Sequence, residues 1–112
     1  MTRLFHLIAA DDWQAWRGRP EYAPDTLASE GFVHLSTAAQ VPGTASLFFA
    51  GVDDLVALEI EVPEGDPRLR WEAAEGPRGV EEFPHFHGPI PLAWVAAAST
   101  VRSGVGPLGH ES

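Results

Sequence analysis

Four histidines in this chain, His6, His34, His85 and His87, lie on or beside runs that read as strands, and three of them are flanked by aromatics. An ordinary imidazole changes charge near neutrality, so it can give or take a proton there and can ligate a metal. Each one alone reads first as a hydrogen-bonded structural histidine. Four in 112 residues point to a shared pocket. Neutral imidazoles at His34 and His85 are the candidate catalytic acid or base. The fifth histidine, His110, falls in a glycine-rich tail and is set aside.

The spacing His85-x-His87 puts two imidazoles on one face of a strand, and His34 or Glu72 could complete a metal site. That interval is common, and spacing alone assigns no metal. The chain has no cysteine, which excludes disulfides, thiolate zinc sites and cysteine nucleophiles. Ser36 with a histidine and Glu72 would make a hydrolase triad, but no Gly-x-Ser-x-Gly turn surrounds it, and Ser36 or Thr37 reads first as a helix cap. Glycine-rich phosphate loops are absent. Trp71 reads first as a core aromatic, but it could stack on a planar ligand beside Glu72.

Those residues need elements to position them. Gly31-Phe32-Val33-His34-Leu35-Ser36-Thr37 reads as a short strand with Phe32, His34 and Ser36 on one face and Val33 and Leu35 on the other. Leu4–Ile8 reads as a first strand, with Leu4, His6 and Ile8 opposite Phe5 and Leu7. Asp11 or Asp12 caps a short helix whose Trp13 and Trp16 share a face. Pro24-Asp25 opens a second helix, with Leu27 and Ala28 inward and Gly31 as its left-handed end. A third helical segment spans 38–49, interrupted at Pro42-Gly43, with Leu47, Phe48 and Phe49 as its core contacts. Leu55–Val62 is the clearest strand. Residues 69–73 form another, 75–82 a loop, 83–88 an extended run whose Pro84 marks an edge or a strand end, and 92–98 a last strand. Short helices in the first half and strands in the second argue for an α+β domain over residues 1–101, with an antiparallel or mixed sheet and a flexible tail over 102–112.

Composition bounds the partners. The formal net charge is -9, with seven arginines, no lysine and 16 acidic residues. Such a surface disfavours nucleic acid and anionic membranes and suits a basic protein partner. The pairs Arg17/Arg19 and Arg68/Arg70 could touch an anion locally. No apolar run reaches the roughly 18 residues a membrane span needs, and the N-terminus lacks the apolar core of a secretory signal, so a cytoplasmic location is expected.

Leu4-Phe5-His6, Gly31–Thr37, Gln40, Trp71-Glu72 and Phe83–Ile90 resemble the bacterial family called domain of unknown function 952, in unbroken order over residues 4–98. His87 stands where that family leads one to expect tyrosine. More distantly, the chain is similar to the ADP-ribosyltransferase fold, and especially to RNA 2'-phosphotransferases. Those enzymes carry Leu-Phe/Tyr-His-Gly-Thr, then a glycine-ended helix, then His-Val-His-Leu-Ser, then an apolar strand. The resemblance implies a split sheet whose cleft holds NAD or ADP-ribose, and transfer of ADP-ribose with loss of nicotinamide. It implies His6 on the adenosine side, Ser36 on the nicotinamide ribose and His34 lining the cleft, with Thr37 and Trp71 completing the ligand-binding set. Leu7-Ile8 replaces Gly-Thr after the first histidine, the phosphate-handling arginines have no clear counterpart, and Glu72 and Glu82 are the only plausible glutamates for a ribose hydroxyl. The alternative is a non-catalytic module that binds a basic protein and whose histidines are structural.

Overall fold

The computed structural model describes residues 1–76 and 79–101. The expected tail over 102–112, with His110, lies outside them. The elements run β1 (Thr2–Ala9), α1 (Ala10–Trp16), β2 (Glu21–Tyr22), α2 (Asp25–Glu30), β3 (Val33–His34), α3 (Val41–Phe48), β4 (Leu55–Val62), β5 (Leu69–Gly76), β6 (Gly79–Phe86), β7 (Ile90–Pro91), a 3₁₀ turn (Leu92–Trp94) and β8 (Val95–Val101). This is an α+β arrangement in which every strand pairing is antiparallel.

β1 lies beside β4 in the sheet β1-β4-β8, in register from Thr2 opposite Val62 to Ala9 opposite Leu55. Alternation gives β1 two apolar faces. Leu4 and Ile8 join one core with Val33, Leu35, Leu58, Ile60 and Phe86. Phe5 and Leu7 join a second core with Val41, Ala45, Leu55 and Ala57. Each side chain fully buried this way contributes about 1.5–3 kcal/mol, so β1 and β4 are anchored from both sides.

A second sheet, β3-β6-β5, is joined to the first by one backbone bridge among the described residues. Phe5 and Ser36 exchange backbone hydrogen bonds of 2.8 Å in both directions. Pro84 explains why β3 is only two residues long. Leu35 N–H donates to Pro84 O at 3.0 Å. In an antiparallel strand a residue's N–H and C=O point the same way, so the proline nitrogen, which has no hydrogen, also faces Leu35. The ladder stops there, and the next residue, Ser36, turns to Phe5. The expectation that Pro84 marks an edge is corrected: β6 is the central strand, and Pro84 ends the pairing on one side only.

Other expectations are corrected as well. Residues 75–76 and 79–82 are strand and not loop: they belong to β5 and β6, which pair with Gly76 opposite Gly79. Neither Asp11 nor Asp12 caps α1; both lie in its first turn, where carboxylates favour the helix dipole. Gly31 does end α2 in the left-handed region, at φ 88°, but Ala28 is exposed. Pro42 sits in the first turn of α3, where its missing N–H costs nothing, so Pro42-Gly43 marks the helix start. Val41 and Ala45 carry the packing of α3, with Phe49 beside them, while Leu47 and Phe48 are exposed. The last strand begins only at Val95, because Leu92–Trp94 form the 3₁₀ turn, in which Trp94 packs edge-on against Phe86 with the Arg68 guanidinium over its ring.

Candidate functional site

A cavity of about 620 Å³ lies across the junction of the two sheets, within the size range of small-molecule pockets. β1 contributes His6, β3 and the residues after it contribute His34 and Ser36, and β6 contributes His85. Four of the six residues singled out from the sequence therefore converge. Its apolar walls include Tyr22, Phe48, Phe49 and Phe83. Asp12, Asp25, Glu30 and Glu75 also line it, and among the described residues no arginine does.

The other two residues do not reach it. Trp71 is opposite Pro84 and shares the face of Leu69 and Phe86, whereas Glu72 and Arg70 share the face of Phe83 and His85. Trp71 thus lies across the sheet from the cavity and is 45% exposed. Thr37 serves the chain turn. Its Oγ1 accepts from Gln40 N–H at 3.2 Å, and Gln40 Oε1 accepts from Thr37 N–H at 3.0 Å, a reciprocal capping box. Thr37, and not Ser36, caps the turn into α3. Gln40 Nε2 then donates to Glu82 O at 2.9 Å, which ties α3 to β6.

The imidazoles differ in what they leave free. His6 is fully engaged. Its Nδ1 lies 2.7 Å from His34 O and its Nε2 2.8 Å from Tyr22 Oη. A carbonyl only accepts, so Nδ1–H donates to it and Nε2 accepts from the tyrosine hydroxyl. Desolvation pushes the pKa of His6 down to about 4, and burial, with the charge of Asp12, pushes that of Tyr22 up. In this arrangement His6 is neutral, and both of its nitrogens serve the protein's own chain in place of the implied contact to an adenosine.

His34 is half exposed, and its Nε2–H donates to Glu30 Oε1 at 2.7 Å. His85 is 5% exposed. Its Nδ1–H donates to Glu72 Oε1 at 2.8 Å, and His87 Nε2–H donates to the same oxygen at 3.0 Å. The bonds from His87 and His85 hold the Glu72 carboxyl below its usual range. Phe32 lies flat on the His85 ring, with centroids 4.0 Å apart and planes at 14°, and His34 meets both edge-on. The ring of His85 is thus held on one face and at one nitrogen. Its Nε2 has no partner among the described residues. No buried side-chain nitrogen or oxygen there is left unsatisfied, so Nε2 opens into the cavity that His85 lines.

Ser36 is buried, with its Oγ 3.3 Å from Thr44 Oγ1. His85, His87 and Glu72 are engaged with one another, and among the described residues no group of three histidine or acidic side chains is arranged to hold a metal ion. No helix there is long and apolar enough to cross a membrane.

The family model described as a protein of unknown function (DUF952) matches residues 7–98. The chain belongs to the DUF952 family. Among solved structures, this DUF952 chain is similar to the crystal structure of protein CC0527 from Caulobacter crescentus, at 28% identity and a TM-score of 0.77, over 96% of this chain and 95% of that one. A double mutant of CC0527 gives the same values. Its solution NMR structure gives 26% identity and a TM-score of 0.74, over 96% and 93%. No curated protein matches the chain.

Three participants had weak sequence signals. Phe32 was placed on the face of His34, but its stacking on His85 depends on the β3–β6 pairing. Glu30 is four residues before His34, across a helix end where no helical spacing rule applies. Tyr22, the single tyrosine, sits in a two-residue strand with no periodicity to mark it.

Proposed function

We propose that the cleft is a small-molecule site of ADP-ribosyltransferase type that takes an NAD-like ligand by its nicotinamide riboside end. His85 is the acid–base group. The observation that carries this reading is the free Nε2 of a buried imidazole whose other nitrogen is fixed on Glu72. A carboxylate in that position keeps the proton on Nδ1 and leaves Nε2 as the basic atom. Support also comes from chain order: His6, then His34 and Ser36, then an apolar strand, with β1 and the Ser36 backbone paired at the split.

The chemistry balances with few groups. The bond from ribose C1' to the nicotinamide nitrogen breaks, and nicotinamide leaves neutral. A hydroxyl of an acceptor, or water, adds to C1', and its proton goes to His85 Nε2. The acidic lining favours the cationic sugar that forms as the bond breaks. Ser36 Oγ, 3.3 Å from Thr44 Oγ1, is the cleft hydroxyl assigned to the ribose. His6 acts one step back, holding the His34 carbonyl. With no arginine in the lining, the pyrophosphate sits outside the pocket and adds little to binding.

Calorimetry and melting curves with nicotinamide riboside, NAD and ADP-ribose test this. The expected order of affinity is nicotinamide riboside, then NAD, then ADP-ribose. In a His85→Gln variant, binding persists while release of nicotinamide from NAD falls by about 100-fold or more. No heat and no melting shift with any of the three at millimolar concentration removes the proposal.

A further inference from the structure

The cleft has a chemical polarity that bears on more than the sugar of the NAD reading. His85 is a buried ring whose Nε2, unpartnered among the described residues, is a hydrogen-bond acceptor open to the cavity that His85 lines. Around the same cavity stand the carboxylates of Asp12, Asp25 and Glu30. Glu30 is already bonded to His34. Asp12 and Asp25 make no ion pair among the described residues, and the charge of Asp12 reaches Tyr22 on the cavity wall. The faces of Tyr22, Phe48 and Phe83 complete the lining. Acceptors, negative charge and aromatic faces all favour the same kind of guest, and none of them favours an anion.

We infer that the cleft binds an organic cation bearing N–H donors, a guanidinium or alkylammonium group, with one N–H on His85 Nε2. This rests on the reading of the cleft as a ligand site, and it does not require NAD as the ligand. A neutral donor of the same shape gains the hydrogen bond but not the field of the carboxylates. An anion meets repulsion and a lone pair. Within the proposed transfer reaction, such a cation is the acceptor's end group. As a stand-alone ligand, it is the guest itself. A basic side chain and a free amine present the same chemistry, and peptide and small-molecule arms tell them apart.

The test is an amide-resolved NMR titration of the full chain with n-butylguanidinium, N-butylurea and butyrate. The expected result is saturable shifts at cavity-lining residues with butylguanidinium, at an affinity about tenfold above that of N-butylurea, and none with butyrate. Raising the salt weakens the guanidinium complex and leaves the urea complex unchanged. Asp12→Asn together with Asp25→Asn, both at exposed positions, lowers the guanidinium affinity by about tenfold and lowers melting by only a few degrees, the cost of two carboxylates in the first turns of α1 and α2. An arginine-containing tripeptide amide competes if the guest is a side chain, and fails to compete if only a free amine fits. Equal or tighter binding of N-butylurea, binding of butyrate, or no saturable shift with butylguanidinium at millimolar concentration overturns the inference. NAD and nicotinamide riboside run in parallel. Cation binding without either of them sinks the NAD reading alone, and nicotinamide riboside binding with N-butylurea equal to butylguanidinium sinks this one alone.

Discussion

Neutral His6 makes the stability of this fold depend on pH in a calculable way. In the unfolded chain the imidazole titrates near 6.5, and in the folded chain near 4. Above pH 6.5 both states are neutral, and His6 contributes no pH dependence. Between 6.5 and 4 the unfolded state takes up a proton that the folded state refuses, so stability falls as pH falls. The slope is about 1.4 kcal/mol per pH unit, and the total is about 3 kcal/mol. Part of the ring edge faces the cavity, so that figure is a ceiling. Below pH 4 both states are protonated and the loss stops growing. Urea unfolding followed by tryptophan fluorescence, from pH 7.5 down to 4.5, measures it. The reference is a His6→Asn/Tyr22→Phe double variant, which removes the titrating ring and the hydroxyl that would otherwise be orphaned. The wild-type curve should fall more steeply than the reference through this window, and the difference isolates His6. Parallel curves would refute the assignment of a neutral, doubly bonded His6, as would an NMR titration in which His6 protonates near pH 6.5.

Two further outcomes follow from the hydrogen bonds. Tyr22→Phe keeps the edge-on contact with Trp16 but leaves His6 Nε2 without a donor; it should cost about 1–3 kcal/mol in urea unfolding, and a loss below a few tenths would show that water replaces the hydroxyl. Glu72 has a lowered pKa in the folded state, so its stabilisation is present above the unfolded carboxylate pKa and is lost as pH falls through the lower folded value; Glu72→Gln should flatten the acid limb of the stability curve, and an unchanged limb between about pH 5 and pH 3 would count against the shared bond to His85 and His87.

What the sequence reveals here depends on the range of the forces involved. Two-faced strands are local patterns, so β1 and β4 are legible from Leu4–Ile8 and Leu55–Val62. The glycine end of α2 is legible for the same reason. The run 75–82 reads as a loop because Gly, Pro and Glu dominate it, yet the pairing of β5 with β6 makes 75–76 and 79–82 strand, a tertiary override of propensity. Leu47 and Phe48 look like core because they are apolar, but the helix leaves Leu47 to solvent and Phe48 on the cavity wall, and burial falls to Val41 and Ala45. The site residues His34, Ser36 and His85 were visible as chemistry. Trp71 was misplaced because its face is set by registration against Pro84, which no local pattern encodes.

The cleft owes its form to how three successive residues spend their backbone groups. His34 O accepts from His6, Leu35 N–H donates to Pro84 O, and Ser36 pairs both ways with Phe5. One short segment is thereby tied to β1 twice and to β6 once, and each tie uses main chain. The side chains of His34 and Ser36 take no part in these ties and meet other side chains along the cleft, Glu30 and Thr44. His85 reaches a similar state by a different route, its ring fixed by Glu72 and by Phe32 while Nε2 stays open. If the residues were kept only for packing, the cheaper solution would be a continuous β3–β6 ladder with an apolar residue at 85. Pro84 forbids that ladder, and a buried imidazole with an open nitrogen contributes less to stability than a phenylalanine of similar volume. The pattern gives up local stability and leaves polar groups along a cavity, which is the arrangement on which the proposed binding site rests.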